Sequence, residues 1–235
     1  MSIMQEKTAY LISCSDHFSH RLNVAHDHLR ARGYRVQYIT SDFDHVKKVR
    51  FTCDVPDCVQ IPAKPYRKNL SVSRILSHYC FARDVFRYLE SLSQEPDVIL
   101  ALIPPNFLAH YAAKYKKAHP NVRLIFDIFD MWPEALPVKT GNPVIKFALS
   151  IWGAFRNRNL KHADKIYTEC DYYQEILEKE GYTMPMETKY LSQEDGDLEI
   201  KGVWKDDQIH ICYVGSINNI INAPLMIATR SPIAK

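Results

Sequence analysis

Two kinds of apolar pattern alternate along the chain. Short runs rich in β-branched and aromatic residues, "AYLIS" (9–13), "RVQYIT" (35–40), "CVQI" (58–61), "DVILALI" (97–103), "VRLIFDIF" (122–129), "KIYT" (165–168) and "TKYL" (188–191), read as strands. Between them lie longer stretches whose apolar residues recur three or four positions apart. "RLNVAHDHLRARG" sets Leu22, Ala25 and Leu29 on one helix face and stops at Gly33, and "YYQEILEKEG" repeats the device at Gly181. A helix over 71–92 carries Val72, Ile75, Leu76, Tyr79, Phe86 and Leu89 as a stripe, which is either core packing or a membrane-facing stripe. Strands alternating with helices predict an α/β fold, doubly wound about a parallel sheet.

The pattern changes after "TKYLS". Residues 1–192 read as one α/β domain, 193–208 as a polar, acidic linker, and "IHICYVGS" (209–216) as the first strand of a second β-α domain. Residues 209–235 are fewer than the hundred or so a domain normally needs, so the expectation is a second domain begun and left unfinished.

Composition narrows the function. With 46% apolar and 24% charged residues the chain is typical of a globular protein, and a net charge of +3 is too small to argue for nucleic-acid binding. Basic clusters at 45–50, 64–68 and 114–117 are either solvated faces or contacts to an anionic membrane or a phosphate-bearing substrate. The absence of a long apolar run predicts a cytoplasmic protein, at most peripheral to the inner face of the cell membrane. Six scattered cysteines form neither a zinc-ribbon pair nor a CxxC motif, so reduced thiols and no metal are expected. Seven glycines cannot be written as GxGxxG or GxxxxGK, which argues against classical dehydrogenases and P-loop nucleotidases.

One stretch concentrates candidate chemistry. "LIFDIFDMWPEALP" (124–137) begins as a buried strand yet holds Asp127, Asp130 and Glu134. Asp127 lies within the apolar run, where an unpaired carboxylate is costly, so it is either functional or hydrogen-bonded for structure. Asp130 is either a site residue or the cap of a short helix begun by Pro133, and Glu134 is either a site residue or a first-turn carboxylate. In "SCSDHFSHR" (13–21), Asp16, His17, His20 and Arg21 follow the first strand, with Asp16 and Ser19 also able to cap the next helix. Asn106 follows Pro104 and Pro105 at another strand end, placed to reach a sugar hydroxyl or to cap a helix.

"YLISCSDHFSHR", "HDHLRARGYRVQYITSD", "PDVILALIPPNFLAHYAAKY", "LIFDIFDMWPEALP", "ADKIYTECDYYQEIL" and "ICYVGSI", in this order and spacing, resemble the N-terminal half of the family-four, retaining, GT-B glycosyltransferases of capsule and exopolysaccharide synthesis. The resemblance implies a Rossmann-like N-terminal domain holding the acceptor, facing a second domain that holds the nucleotide-sugar donor. It implies Asp127 as the catalytic carboxylate. Asp16, His17, His20, Arg21, Asn106, Asp130 and Glu134 would lie on the acceptor side, and Gly215 and Ser216 on the donor side. Partners implied are a nucleotide-sugar donor, a lipid-linked or saccharide acceptor and, if the enzyme is split, a complementary chain carrying the second domain. No cofactor is implied. The loop after the first strand departs from the family, whose members present glycines there. Alternative readings are a non-catalytic acceptor-binding module and a hydrolase using His17, His20, Asp127 and Asp130 as metal ligands, although no HxH or DxD pair is present.

Overall fold

A computed structural model describes residues 6–14, 20–136 and 141–191, and for His20 the backbone only. Asp16, His17, Gly215, Ser216, the linker (193–208) and the start of a second domain (209–235) lie outside the described residues.

Seven strands, β1 (Thr8–Ile12), β2 (Arg35–Ser41), β3 (Cys58–Ile61), β4 (Val98–Ile103), β5 (Arg123–Ile128), β6 (Lys165–Thr168) and β7 (Met186–Thr188), form a sheet in the order 3-2-1-4-5-6-7. Every pairing is parallel. The helices are α1 (His20–Ala31), α2 (Val72–Glu90), α3 (Asn106–Ala118), α4 (Pro143–Leu160) and α5 (Asp171–Lys179). This is the doubly wound, Rossmann-like α/β fold expected from the sequence. The last strand differs in position: β7 ends at Thr188, so of the predicted 188–191 only the first residue is strand, and Tyr190 and Leu191 are exposed. Two apolar residues beside "TK" mimic a strand, but "MET" is the segment that pairs with β6.

The strand order explains the layers. The chain winds from β1 to β3 in one direction and from β4 to β7 in the other, and right-handed crossovers then place their helices on opposite faces. On one face α1 contributes Leu22 against Leu11, Val36, Leu100 and Ile125. On the other, Phe81, Val85 and Leu89 of α2, Leu108 and Ala112 of α3, Leu160 of α4 and Leu177 of α5 cover Ile12, Ile39, Ile99, Phe126 and Ile166. All six residues of β4 are buried, which is why its sequence is continuously apolar rather than alternating.

Gly33 and Gly181 close α1 and α5 at φ +79° and +86°, a region costly for residues with a Cβ. The predicted α2 stripe divides: Phe86 and Leu89 enter the core, whereas Val72, Ile75, Leu76 and Tyr79 are exposed. No described helix is long and apolar enough to cross a membrane.

Candidate functional site

β1 hydrogen-bonds to both β2 and β4, so the connections leaving its carboxyl end and that of β4 diverge, the place where open α/β sheets bind ligands. Arg21, at the start of α1, and Asp127, near the end of β5, meet here. Arg21 Nε donates to Asp127 Oδ2 at 2.9 Å, its Nη2 donates to Oδ1, and its Nη1 donates to the carbonyl of Lys189 beyond β7. Both side chains are nearly sealed, at 5% and 6% exposure. Burial pushes the Asp127 carboxyl up from its ordinary value, and the Arg21 hydrogen bonds and charge pull against it. The two-pronged contact uses both oxygens, the geometry of an ionised carboxylate on a guanidinium.

Two further carboxylates surround this pair. Asp130 accepts from the indole Nε1 of Trp132 at 2.7 Å. Burial raises its proton affinity, while Trp132, the Met131 backbone N–H, the Arg74 charge and the Tyr173 hydroxyl lower it. The helix expected at Pro133 is a turn over 132–135, and Asp130 braces it through the indole. Glu169, at the end of β6 and half-buried, is raised first by burial, lowered by Arg21, and raised again by the negative charges of Asp130 and Asp127. A half-buried carboxylate so perturbed is suited to exchanging a proton with a substrate hydroxyl.

Asn106 and Glu134 are bound elsewhere. Asn106 Nδ2 donates to the Trp132 carbonyl at 3.1 Å, and its buried Oδ1 has no hydrogen-bond partner among the described residues. Glu134 is gripped by Arg156, Nη1 to Oε2 at 2.7 Å and Nη2 to Oε1 at 3.1 Å. Arg156 has no exposed side chain, so Glu134 neutralises a sealed charge. Glu134 also lines an open groove of about 550 Å³ with Lys146, Ser150 and Asn157.

Thus Arg21, Asp127 and Asp130 come together, with Glu169, Tyr173 and Arg74 added by the fold. Asp127 is committed to Arg21 through both oxygens, and Asp130 Oδ2 to the Trp132 indole; His17 and the His20 side chain, the other ligands of the metal reading, lie outside the described residues. Glu169 and Tyr173 lie within the "ADKIYTECDYYQEIL" stretch. Its position at a strand end was the available signal, but a single glutamate before a helix looks like any first-turn carboxylate.

No protein-family model matches the chain, and no curated protein matches it. Solved structures similar to the chain include sucrose-phosphate synthase from Thermosynechococcus elongatus (12% identity, TM-score 0.47, covering 79% of this chain and 88% of that one); TcCGT1 in complex with UDP (10%, 0.48, 78% and 50%); and Arabidopsis thaliana UGT89C1 complexed with UDP-L-rhamnose (14%, 0.48, 78% and 51%). The chain spans about half the length of the last two. At these values the likeness says nothing about the residues of the site.

Proposed function

We propose that this chain is the acceptor-binding half of a GT-B glycosyltransferase of the family-four, retaining type, which transfers a sugar from a nucleotide-sugar donor to a lipid-linked or saccharide acceptor in surface polysaccharide synthesis. The ordered series of motifs supports the family. The observation that carries the site is the set of carboxylates Asp127, Asp130 and Glu169 gathered round Arg21 at the carboxyl edge of the sheet.

The roles follow from access. Asp127 is almost sealed and spends both oxygens on Arg21, so it acts as a positioning residue: it fixes the guanidinium and adds fixed negative charge beneath the crevice. Glu169 and Asp130 are both half-buried, and Glu169, raised by both neighbouring aspartates, is assigned to orient an acceptor hydroxyl or take its proton. The negative field of the group also steadies the positive charge that develops on a sugar ring during transfer. Residues 209–216, with Gly215 and Ser216, would begin the donor-binding domain, in this chain's own polypeptide or completed by a partner chain.

A peripheral membrane contact fits a lipid-linked acceptor. Leu70, Val72, Ile75 and Leu76 are exposed at the start of α2, just after exposed Lys64, Arg67 and Lys68. Val144, Phe147 and Ile151 are exposed on α4 of the same layer. Apolar side chains beside cations match an anionic bilayer surface at the inner face of the membrane.

The test is transfer from radiolabelled uridine and guanosine diphosphate hexoses to a farnesyl-diphosphate-linked hexose and to free oligosaccharides, with the donor-binding domain present. Product is expected from at least one pair, with kcat lowered at least about tenfold by Glu169→Gln in a protein that remains folded. No product from any pair, or full turnover by Glu169→Gln, would overturn the reading.

A further inference from the structure

A second group of side chains lies outside the carboxylate cluster. Cys14 follows β1, His45 lies in the connection from β2 to β3, and His78 projects from α2; their ligand atoms all lie within 4.8 Å of one another. Cys14 Sγ and His45 Nε2 are 3.4 Å apart. His78 is buried at 5% exposure and brings its imidazole to within 4.8 Å of the other two ligand atoms. Its ring stacks on Trp132 (centroids 5.9 Å apart) and meets His45 edge-on at 5.6 Å. A thiol and two imidazoles converging from three segments make up the donor set that zinc-class ions prefer.

We propose that Cys14, His45 and His78 form a binding site for a zinc-class transition-metal ion, with a fourth coordination position left open. One thiolate and two imidazoles suit such ions. A tetrahedral ion with bonds of about 2.3 Å to sulfur and 2.0–2.1 Å to nitrogen holds those atoms about 3.5 Å apart, close to the Cys14–His45 separation. Since all three ligand atoms already lie within 4.8 Å, His78 needs to move by no more than about an ångström to complete the set.

His45 Nε2 lies 2.6 Å from the Cys14 carbonyl, and Nδ1 lies 2.9 Å from the Tyr66 hydroxyl. Binding exchanges the first contact for the metal. The imidazole proton moves to Nδ1 and is donated to Tyr66, which then orients the ligand from behind. Cys14 loses its thiol proton to solvent, so one proton is released per ion bound. Sequence spacing hides the site because its ligands lie on three separate segments, which is why no metal was expected.

Titration of the full, chelator-stripped chain with cobalt(II) and then zinc(II), with no other ligand, tests the proposal. One equivalent of cobalt is expected to give the visible absorption of a tetrahedral ion and a thiolate-to-cobalt charge-transfer band, both displaced by zinc. Cys14→Ser should abolish the charge-transfer band while Cys58→Ser keeps it, and Tyr66→Phe should weaken binding about 10–100-fold. Should Cys14→Ser fail to fold by circular dichroism, His78→Gln carries the test: it should retain charge transfer, alter the visible bands and bind at least about tenfold more weakly. An octahedral spectrum, charge transfer that survives in folded Cys14→Ser, or a spectrum unchanged by His78→Gln would overturn it.

Discussion

Arg21 and Asp127 stand 106 residues apart in sequence and meet as a nearly sealed ion pair, guanidinium against carboxylate, that joins the start of α1 to the end of β5. Removing either charge strands the other in an interior that solvates it poorly, at a cost of about 3–5 kcal/mol. Asp127→Asn and Arg21→Met should each lose stability of that order in urea unfolding. The double variant Arg21→Met/Asp127→Leu should lose much less than their sum. Additive losses would show that the two groups are not coupled.

Glu169 should titrate above 4.5 when followed by carbon-detected NMR of its side-chain carboxyl. Because the charge of Asp130 raises it, Asp130→Asn should bring its value down. The linkage sign follows: a folded value above the unfolded one means that Glu169 contributes stability fully present below 4.5 and lost as pH rises through the folded value. A Glu169 value unchanged by Asp130→Asn would separate the two carboxylates.

Glu134 should matter to stability and not to transfer. Glu134→Ala leaves Arg156 sealed without its counter-charge, although Glu134 itself is 45% exposed and water partly compensates, so about 1–3 kcal/mol is expected. Calorimetric unfolding and the transfer assay together check this. Lost turnover with unchanged stability would return Glu134 to the acceptor site.

Flotation with vesicles containing phosphatidylserine should carry the chain upward at low ionic strength and release it as salt rises. Val72→Ser/Leu76→Ser should weaken flotation without altering the fold, since both residues are exposed. Binding indifferent to salt, or unaffected by these changes, would place any membrane contact elsewhere.

Much of the fold is legible in the sequence because burial imposes local pattern. β4 must be apolar on both faces, α1 must repeat its apolar residues every three or four positions, and Gly33 and Gly181 mark turns that disfavour other residues. Asp127 stands out for the same reason, as a carboxylate inside an apolar strand. What the sequence hides is pairing. Nothing local to Arg21 says that its partner is Asp127, and nothing local to Glu134 says that it serves Arg156, since both contacts form only when distant segments pack. The start of α2 is equally opaque, because an apolar helical stripe looks the same whether it meets the core or faces outward. The meeting of Cys14, His45 and His78 is hidden in the sequence for the same reason as the pairing of Arg21 with Asp127: the partners lie on distant segments.

The most direct measurement follows the arginine Nε–H resonances by NMR while farnesyl-diphosphate-linked hexose is added. Arg21 sits among the carboxylates of the crevice, whereas Arg156 is sealed beside Glu134, so one protein carries both reporter and control. Binding at the carboxyl edge of the sheet should shift the Arg21 signal saturably, leave Arg156 in place, and lose its saturation in Glu169→Gln. A silent Arg21 at saturating ligand, or a shift confined to Arg156, would contradict an acceptor site built around Arg21 and Asp127.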